Sequence, residues 1–360
     1  MPVPAALPSP PLEWSSFSVG PFTFHVYALI IVAAIVVSVW WTNRRMTARG
    51  GEPWVIIDIA IPAVLLGLLG ARLYHVFTHP ADYFSAGADW WRVFAIWEGG
   101  NAIIGALIGG ALGAWLVCRL KGIRFLAFAD AAAPTILLAQ AIGRLGNWFN
   151  HELFGWPTDL PWGLEIARPN PAIPAGLPAD TLFHPTFLYE LLWNLVGVAV
   201  ILLLERMLRW RRGRTLAAYF VWYGIGRMMI ESIRLDYSEI VLGMRSNVLG
   251  ALVLVLIGLA LFVWSARNES GEASIYRDGR VWTEDEEADA DAAAEAEQVD
   301  EAEDADEAEA EAPSEDAAEP ADDRDTPSAD DESEGIPTDS DESLDVEKKS
   351  PSDSTTDARD

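Results

Sequence analysis

Residues 246–266 read SNVLGALVLVLIGLALFVWSA and contain no ionisable side chain. An α-helix needs about 20 predominantly apolar residues of this kind to cross the hydrocarbon core of a bilayer. Hydropathy finds six more runs of about this length upstream, at about 22–41, 55–77, 97–118, 127–147, 185–205 and 215–234. The sequence therefore predicts an all-α, polytopic membrane protein with about seven transmembrane helices, since a soluble protein rarely contains so many long apolar runs.

The last 90 residues have a different composition from the rest of the chain. Residues 271–360 contain 36 acidic and 6 basic residues, whereas residues 1–270 contain 17 and 19. A segment so charged and so poor in apolar side chains cannot offset its chain entropy by burial. We therefore expect a seven-span domain in residues 1–270 and a disordered acidic tail in residues 271–360, which serves either solubility or an interaction.

Basic residues concentrate in alternate connections between the apolar runs. The connections after the first, third and fifth runs hold Arg44, Arg45 and Arg49; Arg119, Lys121 and Arg124; and Arg206, Arg209, Arg211, Arg212 and Arg214. The other connections hold only Arg92, Arg168 and Arg245. The positive-inside rule then predicts an extracytoplasmic N-terminus and a cytoplasmic tail. Residues 148–184, rich in Trp and Pro, are expected to form an external loop with some structure of its own.

The first polar cluster is GRLGNWFNHELFG at residues 143–155, at the outer end of the fourth run. Ionisable side chains inside spans are costly and usually line a cavity. Arg144 and Asn147 are three residues apart, so they share one helix face. A snorkelling arginine is the alternative, but Glu152 in the same short stretch favours a functional site.

The second cluster is Tyr223, Arg227 and Glu231, followed by Arg234, in the sixth run. The first three have i, i+4 spacing and lie along one helical stripe. Pairing of Arg227 with Glu231 would lower the cost of burying either charge. The alternative is a purely structural ion pair.

Two further motifs stand at the ends of apolar runs. HPTFLYE at residues 184–190 places His184 and Tyr189 at the outer mouth of the fifth run. EGGNAIIGALIGG at residues 98–110 has glycines at helical spacing, which is above all typical of a close helix-packing surface.

Arginines at the outer-leaflet level indicate a phosphate ligand. Arginine binds phosphate through two parallel hydrogen bonds and stays charged in a low-dielectric site. The abundant anion at that depth is the phosphate of a lipid. These residues alone predict an outward-facing phospholipid-headgroup site and leave open whether the lipid is transferred, hydrolysed or transported.

The motifs resemble those of prolipoprotein diacylglyceryl transferases. The resemblance rests on four motifs in family order over about residues 20–266: the glycine-rich 99–109, GRLGNWFN at 143–150 with Glu152 and Gly155, HPT with LYE at 184–190, and Gly226-Arg227 with Glu231 and Arg234. The acidic tail lies outside it.

The resemblance implies a bacterial cell-membrane transferase. Its reaction moves the diacylglyceryl group of phosphatidylglycerol onto the lipobox cysteine thiol of a prolipoprotein, which leaves a thioether and glycerol phosphate. It implies no metal or cofactor and no nucleic-acid partner, but binding of phosphatidylglycerol, of prolipoprotein signal peptides and of the lipid bilayer. The alternatives are a phospholipid-binding transporter or scaffold without chemistry, and a purely structural membrane protein.

Site residues follow from motif position. The resemblance implies catalytic roles for Arg144, Arg227, Glu152, Glu231 and Tyr27. It implies phosphatidylglycerol binding by Arg144, Asn147, Gly155, Tyr223, Arg227, Arg234, His184 and Tyr189. Arginines placed where the departing phosphate gains charge would stabilise the transition state.

One position departs from the family pattern. Many members have a histidine just before the middle glycine of the glycine-rich motif, and this chain has Ile104. A thiol with a pKa of about 8.5 needs help to ionise near neutral pH. His75 is the expected substitute base, with His25, His151 and His184 also available. An arginine-rich site that lowers the thiol pKa directly is the other possibility.

Overall fold

The computed structural model describes residues 6–85, 87, 89–96, 99–100, 102–236, 238–268, 274–279 and 281–283. Its helices are α1 Val26–Thr47, α2 Val55–Thr78, α3 Ala81–Phe84, α4 Ile103–Leu120, α5 Phe125–Phe149, α6 Thr186–Leu208, α7 Arg214–Glu231 and α8 Ser246–Arg267. Two antiparallel hairpins pair β1 Ser16–Val19 with β2 Phe22–His25, and β3 Ile240–Val241 with β4 Met244–Arg245. Single 3-10 turns cover Leu12–Ser15 and Trp90–Phe94.

Among the described residues, seven helices contain 18 or more residues. Six of them are also apolar enough to cross a membrane, and the exception is α7. Helix α7 has 18 residues, as α4 does, but contains Arg214, Arg227 and Glu231. It packs against α5, α6 and α8, so neighbouring helices rather than lipid surround much of its surface. The predicted polytopic, helical membrane protein is confirmed.

The closest helix contact joins α2 to α4 through glycines. A Cβ atom added at Gly105 would lie 2.1 Å from the carbonyl oxygen of Gly70, and one at Gly109 would lie 2.0 Å from that of Leu66. The hydrophobic effect does not drive helices together in lipid, so close backbone packing of this kind stabilises their association instead. The glycine motif is thus a packing surface over its described residues, while Trp97, Glu98 and Asn101 lie outside them. Ile104 is 51% exposed on the other side of α4.

The segment between α5 and α6 folds around a small core of its own. Phe154, Leu164 and Phe183 are buried together, and Phe183 exchanges two backbone hydrogen bonds with Leu164. Leu7 of the N-terminal segment donates its N–H to the Gly163 carbonyl at 2.9 Å. The expectation that this loop has its own structure therefore agrees with the structure.

Part of the predicted tail packs on the bundle. Ile275 and Tyr276 are buried beside Met46 and Ile123, and the backbone N–H of Trp282 donates to the Gly50 carbonyl. Disorder from residue 271 onward is therefore wrong for residues 274–279 and 281–283. Residues 284–360 lie outside the described part of the chain, and their disorder stays a prediction.

The α2–α4 contact is testable with neighbouring glycines. Gly109→Ala places a methyl group inside a backbone contact and should destabilise the protein by about 1–3 kcal/mol. Gly110→Ala is the matched control, because its Cβ would lie 3.4 Å from the nearest atom and alanine favours a helix by up to about 1 kcal/mol. Thermal unfolding in detergent measures both, and equal stabilities would contradict the packing.

Candidate active site

A glycine lets α1 approach the outer part of α5. A Cβ at Gly146 would lie 2.4 Å from Cδ2 of Tyr27, so the tyrosine ring lies directly on the α5 backbone. Arg144, one half-turn earlier, donates from Nη1 to Oδ1 of Asn147 at 3.2 Å. Tyr27, Arg144 and Asn147 line a cavity of about 600 Å³ between α1, α2 and α5. Three of the predicted site residues therefore share one chamber.

Asn147 connects α5 to the loop that follows it. Its Nδ2 donates to Oε1 of Glu152 at 2.8 Å, and its Oδ1 accepts from Arg144. A guanidinium only donates and a carboxylate only accepts, so the two partners fix the orientation of the amide. The predicted Arg144, Asn147 and Glu152 thus form one hydrogen-bonded chain.

Glu190 of α6 contacts both arginines of the predicted pair, Arg144 and Arg227. It is 5% exposed, and its Oε2 accepts from Nη2 of Arg144. Its Oε1 lies 3.4 Å from Nη1 of Arg227 and 3.7 Å from Nη1 of Arg234. Glu190 belongs to the HPTFLYE motif, but the site predicted from the sequence did not include it. The structure makes this carboxylate the contact between α5, α6 and α7.

Glu231 holds the other side of Arg227. Its Oε2 lies 2.9 Å from Nη2 of Arg227, as the i, i+4 spacing predicted. Its Oε1 accepts from Nε of Arg245 at 2.8 Å and from Nδ2 of Asn247 at 3.0 Å. Glu231 is fully buried, and these partners attach α7 to the start of α8.

Arg234, three residues after the end of α7, belongs to the same cluster of charged side chains. Its Nε donates to Oδ1 of Asp236 at 2.6 Å. Burial lowers the pKa of Arg234, but the hydrogen bond to Asp236 and the charges of Asp236, Glu190 and Glu231 raise that pKa above its usual value. Arg234 is therefore a permanent, buried cation.

The predicted Gly155, His184 and Tyr189 lie close together, in the connection between α5 and α6 and in the first turn of α6. The backbone N–H of Gly155 donates to the His184 carbonyl at 2.9 Å, and a Cβ at Gly155 would lie 2.6 Å from the Ile233 carbonyl oxygen. The Tyr189 hydroxyl accepts from Nε1 of Trp162 at 3.0 Å. Nδ1 of His184 lies 3.2 Å from the same hydroxyl.

A pair of tryptophans fixes α6 against α7. Nε1 of Trp193 donates to the Trp222 carbonyl at 3.1 Å, and Nε1 of Trp222 donates to the Trp193 carbonyl at 3.0 Å. The rings stack with centroids 4.6 Å apart. Each indole lies on a glycine of the other helix, Gly226 and Gly197, where a Cβ would come within 2.2 Å of Nε1. This contact sets the register of the helix that carries Arg227.

The cluster is balanced in charge, and Arg144 and Arg227 are more accessible than the carboxylates of Glu190 and Glu231 that pair with them. It contains four arginines and four carboxylates: Arg144, Arg227, Arg234, Arg245, Glu152, Glu190, Glu231 and Asp236. The side chains of Arg144 and Arg227 are 18% and 15% exposed, whereas those of Glu190 and Glu231 are 6% and 0% exposed. Buried carboxylates therefore orient two guanidinium groups that can still receive an anion.

The sequence profile of the family described as prolipoprotein diacylglyceryl transferase matches residues 15–264. The chain belongs to the prolipoprotein diacylglyceryl transferase family. It is 55% identical over 288 residues to the phosphatidylglycerol–prolipoprotein diacylglyceryl transferase of Leifsonia xyli, which covers 77% of this chain and 86% of that relative. The proteins of the same name from Bifidobacterium longum and Streptomyces griseus are 46% and 45% identical, with 72% and 77% of this chain and 85% and 82% of each relative covered.

The family match contains every predicted site residue, but the candidate base stands apart from the cavity. His75 of α2 stacks on His79 with ring centroids 4.4 Å apart, and it does not line the cavity that holds Arg144. His151 uses both ring nitrogens, since Nδ1 accepts from the Ala167 N–H at 3.2 Å and Nε2 lies 2.6 Å from the Pro10 carbonyl. Both ring nitrogens of His151 therefore have partners, and His75 as the base stays a prediction.

Tyr223 lies one turn before Arg227 in α7. Its ring stacks on that of Tyr219 at 6.0 Å, and the Tyr219 hydroxyl accepts from Nε2 of Gln140 in α5 at 2.9 Å. Lipid binding by Tyr223 in this member of the diacylglyceryl transferase family stays a prediction. Within the described ranges, no group of three or more His, Cys, Asp or Glu side chains is arranged to hold a metal ion.

The shared carboxylate can be tested by removing its charge. Glu190→Gln removes the carboxylate that Arg144, Arg227 and Arg234 share. We expect the free energy of unfolding to fall by about 3 kcal/mol, the lower end for a broken buried ion pair, because Arg227 and Arg234 each keep a second carboxylate partner. Denaturation in detergent measures the change. Glu13→Gln, an exposed change of the same kind, should stay within about 0.5 kcal/mol of the parent. A Glu190→Gln protein as stable as the control would contradict the ion-pair role.

Proposed function

We propose that this chain transfers the diacylglyceryl group of phosphatidylglycerol to the cysteine thiol of a prolipoprotein. The observation that carries the proposal is the pair of accessible guanidinium groups, Arg144 and Arg227, on the single carboxylate of Glu190. The relatives that carry the name of this activity are matched over 82–86% of their length. This reaction is the first step of lipoprotein maturation.

The chemistry is a substitution at a glycerol carbon. The thiolate sulfur attacks that carbon, the carbon–sulfur bond forms, and the carbon–oxygen bond to the phosphate breaks. The bonding electrons stay on the phosphate oxygen, so a phosphodiester with one negative charge becomes glycerol phosphate with two. Arg144 and Arg227 would stabilise this added charge, which develops only as the bond breaks.

The remaining predicted residues would position the lipid. Glu152 accepts from Asn147, and its other acceptor positions are suited to hydroxyl groups of the glycerol headgroup. Tyr27 lines the same cavity as Arg144. Gly155, which joins three backbone segments, would support the connection between α5 and α6 rather than contact the lipid.

We also propose an extracytoplasmic transfer site and N-terminus, in the bacterial cell membrane. The charge alternation of the connections supports this orientation. Cys118 is fully buried, so single cysteines introduced elsewhere can be labelled selectively. Thr23→Cys should react with an impermeant maleimide in intact cells, whereas Arg209→Cys should react only after permeabilisation. The reverse pattern would contradict the orientation.

Transfer itself is measured with purified protein, phosphatidylglycerol and a lipobox peptide. The expected result is a peptide heavier by one diacylglyceryl unit. Arg144→Ala should lower the rate about 10²–10³-fold, as expected when a group that stabilises developing charge is removed. Arg119→Ala, an exposed arginine outside the site, should keep the parent rate. Lipid binding without a peptide mass shift would instead support a transporter or scaffold.

The base is tested separately through the pH dependence. If His75 accepts the thiol proton, His75→Gln should slow transfer about 100-fold at pH 7 and recover above the thiol pKa of about 8.5, where the thiolate forms unaided. His79→Gln, its stacking neighbour, is the control. Equal rates for both variants at pH 7 would remove His75 from the mechanism.

A further inference from the structure

A second large cavity, of about 820 Å³, lies at the other end of the bundle. The end of α1, the start of α5, the connection from α6 to α7 and residues 274–277 meet around it. Tyr27 at the candidate site and Arg45 at this cavity lie 18 residues apart on α1. That spacing corresponds to about 27 Å along a helix, which is roughly the thickness of a hydrocarbon core.

Arginine dominates the wall of this cavity. Two carboxylates, Asp130 and Glu205, face eight arginines: Arg45, Arg49, Arg124, Arg206, Arg209, Arg211, Arg212 and Arg277. So many guanidinium groups around one space create a strongly positive potential. The planar donors of arginine also suit phosphate oxygens better than those of lysine do.

Both carboxylates already have partners. Glu205 pairs with Arg45 at 2.7 Å and with Arg49 at 2.5 Å. Asp130 accepts hydrogen bonds of 2.7 and 2.9 Å from two backbone N–H groups at the start of α7. Within the part of the chain that the structure describes, no carboxylate pairs with four of the arginines, Arg206, Arg209, Arg212 and Arg277.

The same cavity has an apolar wall. It is formed by Phe125, Leu126, Leu202, Trp210 and Trp264. Trp264 is 50% exposed on α8, at the level where tryptophan usually meets the lipid headgroups. A ligand that fills this space therefore combines an anionic head with an apolar body.

We propose that this cavity binds the headgroup phosphate of an anionic phospholipid from the leaflet at this end of the bundle. Basic pockets between membrane helices bind such headgroups. Inorganic phosphate offers the same anion but would leave the apolar wall unfilled. The site is separate from the transfer site, so it holds a lipid that is not consumed and that links α1, α5 and α6.

The experiment counts lipids retained by the full-length protein in native mass spectrometry. The protein is held in phosphatidylcholine micelles and titrated with dioleoylphosphatidylglycerol. The triple variant Arg206→Gln/Arg209→Gln/Arg277→Gln should retain one anionic lipid fewer than the parent, with at least a tenfold weaker affinity for that lipid. The matched control is Arg44→Gln/Arg119→Gln/Arg267→Gln, which removes equal charge from the same end but outside the cavity, and it should retain the parent number.

Four further arms decide between outcomes. Arg144→Ala should keep the cavity lipid even if it abolishes transfer, so the two proposals fail separately. Conversion of the same three arginines to lysine guards against misfolding and should give intermediate retention. Displacement of the lipid by millimolar inorganic phosphate would assign the cavity to free phosphate. If the lipid is retained only after deletion of residues 284–360, the cavity is assigned to the acidic segment and the proposal is overturned. Equal lipid retention by the two glutamine triple variants would overturn it as well.

Discussion

One buried carboxylate shared by two guanidinium groups holds the candidate site together. Glu190 alone would be costly to bury, and so would each arginine. Placed together they bring α5, α6 and α7 to one point. Arg227 also pairs with Glu231, and Glu231 in turn pairs with Arg245 at the start of α8. Four of the seven long helices in the described part of the chain, α5 to α8, are therefore connected by ion pairs at this end.

The balance of charge in this cluster also bears on turnover. Before any lipid binds, each accessible arginine already faces a carboxylate, so an arriving phosphodiester competes only weakly for them. The developing dianion competes more strongly because Coulomb attraction grows with its charge. In the proposed reaction, a site arranged in this way would favour the state in which the bond is breaking over the bound reactant.

Hydropathy located the helices well but missed where some begin. The second run, predicted at 55–77, became Val55–Thr78, whereas the third, predicted at 97–118, became Ile103–Leu120. Before Ile103, Gly99 and Gly100 have φ angles of +86° and +69°, a left-handed backbone conformation that does not continue a helix. Hydropathy measures transfer to lipid and does not detect such a backbone conformation.

Local spacing also found part of the site and missed the rest. The pairs Arg144 with Asn147 and Arg227 with Glu231 follow from helical periodicity. The bridge through Glu190 joins side chains from different helices, and no spacing rule predicts such a contact. The sequence did not predict the burial of Ile275 and Tyr276 for another reason. Composition averaged over a long acidic segment does not reveal two apolar side chains.

The tryptophan pair has a mechanical consequence. Sliding or separating α6 and α7 would leave the two indole N–H donors unpaired in a medium without water, at a cost of several kcal/mol for each group. The two helices should therefore move as one rigid hairpin during a catalytic cycle. A lipid that enters or leaves sideways would then pass on another flank, such as the one between α1 and α2, where Tyr27, Ile31 and Val64 line the cavity that contains Arg144.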